Sequence, residues 1–231
     1  MVNALMPEQT FRTRDLAIIE FVRRYRLATN RIIASQLLPG RSLNAVAKVT
    51  ARLCTAQILG RYVLVPPETY FRLGNQAISS LGLSSRLCEP LGPQSLPTDY
   101  ATLIYATSGS ARRRRLIADE VAEYMPWLPH DLSQSPYCVD AKGQLELVRV
   151  DLGGSPQHVA RRTTQASHDR LDVPQISELA AASRFQVVVL TTSEEKSKAI
   201  SKALVSCGCT DAVRVHIAVI PRLSFLLLRA N

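Results

Sequence analysis

The stretch TRDLAIIEFVRRYRLATNRIIASQLLPGRSLNAVAKVTARLCTAQILGRYVLVPPETYFRL, residues 13–73, decides the fold of the first part of the chain. Between Thr13 and Ala28 the apolar residues Leu16, Ile19, Val22 and Leu27 recur at helical spacing, with Ile18, Phe21 and Tyr25 widening the stripe; this predicts a helix with one buried face. Thr13 is placed to cap it, and Arg14, Arg23, Arg24 and Arg26 are left for its outer face. A second helix is expected from Thr29 or Asn30, both good capping residues, through Ile32, Ile33, Leu37 and Leu38 until Pro39-Gly40 stops it. The third runs from Ser42 to about Leu59, burying Val46, Val49, Leu53 and Ile58, and ends at Gly60. Two β-rich runs, 61–65 and 69–73, flank the turn-forming Pro66-Pro67-Glu68 and read as a hairpin.

Three short helices followed by a hairpin is the pattern of a winged helix-turn-helix, in which the third helix enters the major groove of duplex DNA. On that reading Ser42, Asn44, Lys48 and Arg52 present hydrogen-bonding ends from the third helix, while Arg14, Arg61 and Arg72 hold phosphates. The alternative is a three-helix module that binds another protein. Charge favours nucleic acid: of a formal +9, residues 1–95 carry 12 lysines and arginines against 5 acids, and the remainder 16 against 14.

Cys88 to Pro97 collects three prolines and a glycine and reads as a stiff linker between a first domain, residues 1–87, and a second, 98–231. Residues 1–12 read as a loose arm. Beyond the linker, helices are expected over Asp99–Thr107, from a cap at Ser110 to Pro126, over Gln157–Arg170 and Gln175–Ala182, and from Ser193 to about Val205. Strands are expected over Tyr137–Val139, Leu145–Leu152, Phe185–Leu190 and Val213–Ile220, with Ser224–Leu228 a last strand or packed tail. The fold class is therefore α+β, a winged helix followed by a small α/β domain with a mixed sheet. Arg112, Arg113, Arg114 and Arg115 crowd what reads as the first turn of a helix, where they oppose its dipole. A second phosphate contact and a solvated charge cluster both remain open there.

Five cysteines at positions 54, 88, 138, 207 and 209 make no even framework, which points to reduced thiols in a cytoplasmic protein. No apolar run is long enough to span a bilayer, and no charged-then-apolar leader follows Met1. No phosphate-cradling loop, metal-spaced histidines or nucleophile elbow is present. Asp140, Glu146 and Asp151 are the only candidates for a magnesium-binding nuclease site. On a regular strand Glu146 and Asp151 fall on opposite faces, with Arg149 where a second acid would serve, so neither catalysis nor a cofactor is expected.

Some segments resemble the replication-relaxation family, whose members accompany plasmid replication and conjugal mobilisation and include relatives of MobC-class relaxases. They are Arg14-Asp15-Leu16-Ala17-Ile18-Ile19, Gly60-Arg61-Tyr62 and Tyr70-Phe71-Arg72-Leu73-Gly74, then Trp127-Leu128-Pro129, Ser135-Pro136-Tyr137 and Val148-Arg149-Val150-Asp151-Leu152-Gly153. The resemblance spans residues 12–190 and implies a second domain with a restriction-endonuclease-like core. Tyr137 and Arg149 stand where that pattern has acids, which implies a nuclease fold without its metal site. The expected function is a duplex-DNA-binding accessory protein of a plasmid or mobile element, in conjugal mobilisation or replication control. Its expected partners are a relaxase or other transfer protein, or a second copy of itself, and no membrane. The alternatives are a magnesium-dependent nickase or relaxase using Asp140, Glu146 or Asp151, and a winged-helix transcriptional regulator whose α/β domain dimerises.

Overall fold

The computed structural model describes residues 12–209 and 213–230. Of the expected N-terminal arm, residues 1–11 lie outside the described residues. The chain divides into two compact units, one made of the chain up to Val63 with Glu68–Glu89, the other of Leu64–Pro67 with the chain from Pro90 onward.

The first unit holds helices α1 (Thr13–Tyr25), α2 (Asn30–Gln36) and α3 (Leu43–Thr55), strand β1 (Leu59–Val65) up to Val63, its hairpin partner β2 (Glu68–Leu73), and a short helix α4 (Asn75–Leu81). Arg12, not Thr13, is the N-cap of α1, and its carbonyl accepts from the N–H groups of Asp15 and Leu16. Helix α2 is capped by Thr29, whose hydroxyl accepts from the N–H of Ile32 at 3.3 Å, and α3 by Ser42, which accepts from Ala45 at 3.2 Å. The core gathers Ile18, Ile19, Val22, Ile33, Val46, Leu53, Ile58, Phe71 and Leu73. Leu16, expected among them, is 42% exposed. The stripe is rotated by one residue, because Ile18 and Val22 take the centre of the face and leave Leu16 on its rim.

Helix α3 also ends earlier than its apolar spacing suggested. Gln57 takes the left-handed conformation at φ 53°, and the N–H of Ile58 reaches back to the Leu53 carbonyl at 2.9 Å, the closing bonds of a helix C-terminus. Ile58, just before β1, and Leu59, its first residue, are buried there and not as a last helical turn. Gly74 seals this corner: a Cβ there would stand 2.2 Å from the Gln57 carbonyl oxygen, so no other residue fits. Ala28 bridges to Phe71 through reciprocal backbone bonds of 3.0 and 2.8 Å, which ties the connection between α1 and α2 to the hairpin.

The second unit is a mixed five-stranded sheet with helices on both faces. Its strands are β3 (Arg114–Arg115), β4 (Tyr137–Val139), β5 (Leu145–Val150), β6 (Phe185–Thr191) and β7 (Val215–Val219), in that spatial order. β3, β4 and β5 pair antiparallel, and β5, β6 and β7 parallel. Helix α5 (Ser95–Thr107) packs on one face. On the other lie α8 (Pro156–Leu171), α9 (Pro174–Ala181) and α10 (Glu194–Ser206); α6 (Ala118–Tyr124) and α7 (His130–Ser133) connect β3 to β4. Residues 95–97, read as linker, form the first turn of α5. The helix expected from Ser110 begins only at Ala118, where the Glu120 carboxylate accepts from the N–H of Ile117 at 3.1 Å. Arg114 and Arg115 are in extended backbone paired with β4, and the next N–H, that of Leu116, donates to Tyr137 at 2.9 Å. Ser224–Leu228 belongs to a helix, α11 (Leu223–Ala230), packed on α5. β6 is buried along its whole length, Gln186 and Thr191 included, as befits a central parallel strand.

Candidate functional site

Helix α3 presents Asn44, Lys48, Ala51 and Thr55 to solvent along one stripe, opposite the buried Val46, Thr50 and Leu53. Around it stand Arg41 and Ser42 at its start and Arg61 on β1, all exposed. Ser42 keeps its hydroxyl oxygen on the cap bond to Ala45, so its oxygen serves the helix. Arg52 is 46% exposed and tied back, one guanidinium nitrogen lying 2.7 Å from Asp15 Oδ1. Arg14 approaches the same oxygen at 3.5 Å. The buried Asp15 thus fixes the end of α3 to the start of α1 and orients both arginines. Neither Asp15 nor Arg41 is among the residues the sequence assigns to this surface; a lone acid in the first turn of an arginine-rich helix is the signal for the former.

Arg72 does not belong to this surface. It is 2% exposed, and its guanidinium donates to the backbone carbonyls of Glu89 and, at 3.4 Å, Arg86. An alternating strand pattern cannot tell an outward arginine from one spent on a neighbouring loop. Beside β1, a hollow of about 290 Å³ is lined by Cys54, Gln57, Arg61, Tyr62 and Cys88, among others. Burial pushes the Cys54 thiol above its ordinary pKa, against the pull of Arg61, so it stays protonated at neutral pH.

The four consecutive arginines of the second unit do not form one patch. Arg113 Nε donates to Glu146 at 3.0 and 3.2 Å and its guanidinium lies 4.2 Å from the centre of the Tyr105 ring. Arg114 pairs with Glu120, and the buried Arg115 with Asp99 at 2.9 Å. Arg112 alone is exposed, at φ 47°. Three of the four are thus paired with carboxylates of the same unit, so neither a four-arginine phosphate patch nor a freely solvated cluster describes the run as a whole.

The three carboxylates are likewise separated. Glu146 is 1% exposed on the α5 side of β5, held by Arg113 and by Gln186 Nε2 at 2.7 Å. Asp151 is 2% exposed, bonded to Thr191 Oγ1 at 2.8 Å, to the N–H of Gly153 at 3.0 Å and to Lys196 Nζ at 2.7 Å. Asp140 closes the β4–β5 turn by accepting from the N–H groups of Lys142 and Gln144 at 2.8 and 2.9 Å. Among the described residues no group of three His, Cys, Asp or Glu side chains is placed to hold a metal ion. The residues present therefore do not fit magnesium: each buried acid faces a cation already, and Glu146 and Asp151 engage opposite sides of the sheet.

Comparison with protein-family models, curated proteins and solved structures returned no match in any of the three. Among the described residues no helix is long and apolar enough to cross a membrane.

Proposed function

We propose that the first unit is a winged helix-turn-helix that binds duplex DNA through α3. The observation that carries this reading is the outward stripe of Asn44 and Lys48, flanked by Arg41 and Arg61, on the third helix of a helix–helix–helix–hairpin unit. Ala47 and Ala51 keep the same face low, so the helix backbone can approach base edges closely. Arg52, steadied by Asp15, adds a phosphate contact at the rim.

The reading extends to an accessory factor of a plasmid or mobile element that binds DNA without cutting it. In support, the order α5, antiparallel β3 to β5, α8 and parallel β6 suits a restriction-endonuclease-like core, while the neutralised Glu146 and Asp151 give it no metal to work with. The test is a gel-shift titration on duplex from the same replicon, comparing wild type with Asn44→Ala/Lys48→Ala. The double variant is expected to bind at least about tenfold more weakly, one bidentate base contact plus one phosphate contact. Equal affinity of the two proteins rules out α3 as the reading helix.

A further inference from the structure

Arg113, Arg114, Arg115 and Lys196 of the second unit each have a carboxylate in contact, but half-buried Arg149, buried Arg170 and exposed Arg162 do not. Arg149 lies on β5 with Leu147, whose side chain packs in the core formed with Ala166 of α8 and Ile176 of α9, so residue alternation turns Arg149 to that same face. Opposite it, α8 brings Arg162, Ala166 and Arg170 along one stripe, each a helical turn apart. Arg170 is 3% exposed and donates only to neutral oxygens: Tyr137 Oη at 3.0 Å, Ser135 Oγ at 2.6 Å, and the carbonyls of Ala166 at 3.0 Å and Leu132 at 3.5 Å. Continued past Tyr137 opposite Leu147, the β4–β5 register sets Ser135 across from Arg149, beyond the end of β4, where the sheet gives way to a loop. Among the described residues no carboxylate comes within ion-pair distance of Arg149, Arg162 or Arg170. Asp169, on the same helix, has its Oδ1 accepting from Gln165 Nε2 at 2.6 Å.

Half-buried Arg149 bears the cost of this arrangement. Burial first, then the fields of Arg170 and Arg162, press its guanidinium below its ordinary pKa, with Asp169 pulling the other way. A desolvated cation among like charges destabilises a fold, and such local conflicts collect at binding sites. Planar guanidinium groups on a strand and a facing helix are suited to grip a tetrahedral oxyanion through paired N–H donors.

We propose that Arg149, Arg162 and Arg170 form a binding site for a phosphate group on the second unit, built independently of helix α3. The group belongs either to a nucleic-acid backbone or to a free phosphate or phosphomonoester; both are recognised by the same donors. The test uses the full chain in two arms, with Arg149→Leu and the exposed-site variant Arg162→Gln. In the first, melting temperature is followed against inorganic phosphate and against chloride at matched ionic strength. In the second, duplex affinity is measured for the same proteins. Arg149→Leu is expected to melt no lower than wild type without ligand, since it removes an uncompensated charge, and to lose the phosphate-specific rise; Arg162→Gln is expected to reduce that rise. About tenfold weaker duplex binding by Arg149→Leu assigns the site to a backbone phosphate, with or without a response to inorganic phosphate. Lost phosphate response with unchanged duplex affinity assigns it to a free phosphate or phosphomonoester. If phosphate acts on the wild type no differently from chloride and duplex affinity is unchanged by Arg149→Leu, or if that variant keeps both the full phosphate response and the wild-type duplex affinity, the proposal is overturned. Lys48→Ala separates this result from the α3 reading, because it leaves the phosphate arm untouched whichever way duplex binding turns out.

Discussion

Replacing Glu146 by glutamine distinguishes a structural acid from a catalytic one. The substitution keeps the side chain's shape and removes its charge. Arg113, whose side chain is 17% exposed, then loses the carboxylate it contacts at 3.0 Å, and an amide N–H₂ must face either Arg113 or the Gln186 donor now 2.7 Å away. Breaking a buried ion pair by removing one partner costs about 3–5 kcal/mol. The partial exposure of Arg113 and its seat over the Tyr105 ring place this case near the lower end, about 3 kcal/mol. For a unit of this size that corresponds to a fall of about 10 °C in melting temperature, read by calorimetry or circular dichroism on the full chain. Adding Arg113→Leu to Glu146→Gln removes the stranded charge, so the double variant is expected to be more stable than the sum of the two single losses by about 1–2 kcal/mol. If Glu146→Gln melts with wild type while magnesium-dependent nicking of supercoiled plasmid appears in wild type and vanishes in the variant, Glu146 is a metal ligand and the reasoning is wrong.

Three further outcomes are expected. Asp15→Asn releases Arg52 and Arg14 and lowers stability by about 1–2 kcal/mol in urea unfolding, a modest figure because Arg52 is half exposed; an unchanged midpoint means the pair contributes nothing. Arg72→Met strands the carbonyls of Glu89 and Arg86 and costs about 2–4 kcal/mol, with no change in the salt dependence of duplex binding; a shallower salt slope would mark Arg72 as a phosphate contact after all. Burial first, then Glu146, push the Cys138 thiol up to about 12, against Arg115 and Arg113, from an unfolded value near 9.0. A raised folded value stabilises the fold fully below pH 9.0 and loses that contribution as pH climbs from there toward 12. In a mildly alkaline thiol assay the exposed Cys207 is therefore expected to react first and the buried Cys138 only on unfolding, so early labelling of Cys138 contradicts this.

The helices and strands were readable where periodicity dominates: Ile19, Val22, Val46 and Leu53 recur at helical spacing, and the centre of β6, Val187–Leu190, is apolar. Their edges were less readable. Leu16 and Ile18 both suit the α1 stripe, and only the packing of Ile33, Val46 and Phe71 decides which faces inward. Ile58 continues the helical spacing of α3 yet is buried by the strand that follows, because Gln57 turns the backbone between them. Charged residues were read least well, since their partners lie far away in sequence. Nothing near Arg113 announces Glu146, or near Arg115 the distant Asp99, and the arginine run looks continuous only before the chain folds. Arg72 is the same lesson in the first unit: one strand alternation sends it to a loop carbonyl and not to the surface.

Amide hydrogen exchange of the full chain, with and without duplex DNA, tests the central claim most directly. The account predicts that duplex slows exchange across the amides of Arg41–Arg52 and around Arg61. It also predicts that Asn44→Ala/Lys48→Ala abolishes this protection while leaving the free protein's pattern intact. Protection that falls elsewhere in the first unit and spares α3, or that persists in the double variant, contradicts it.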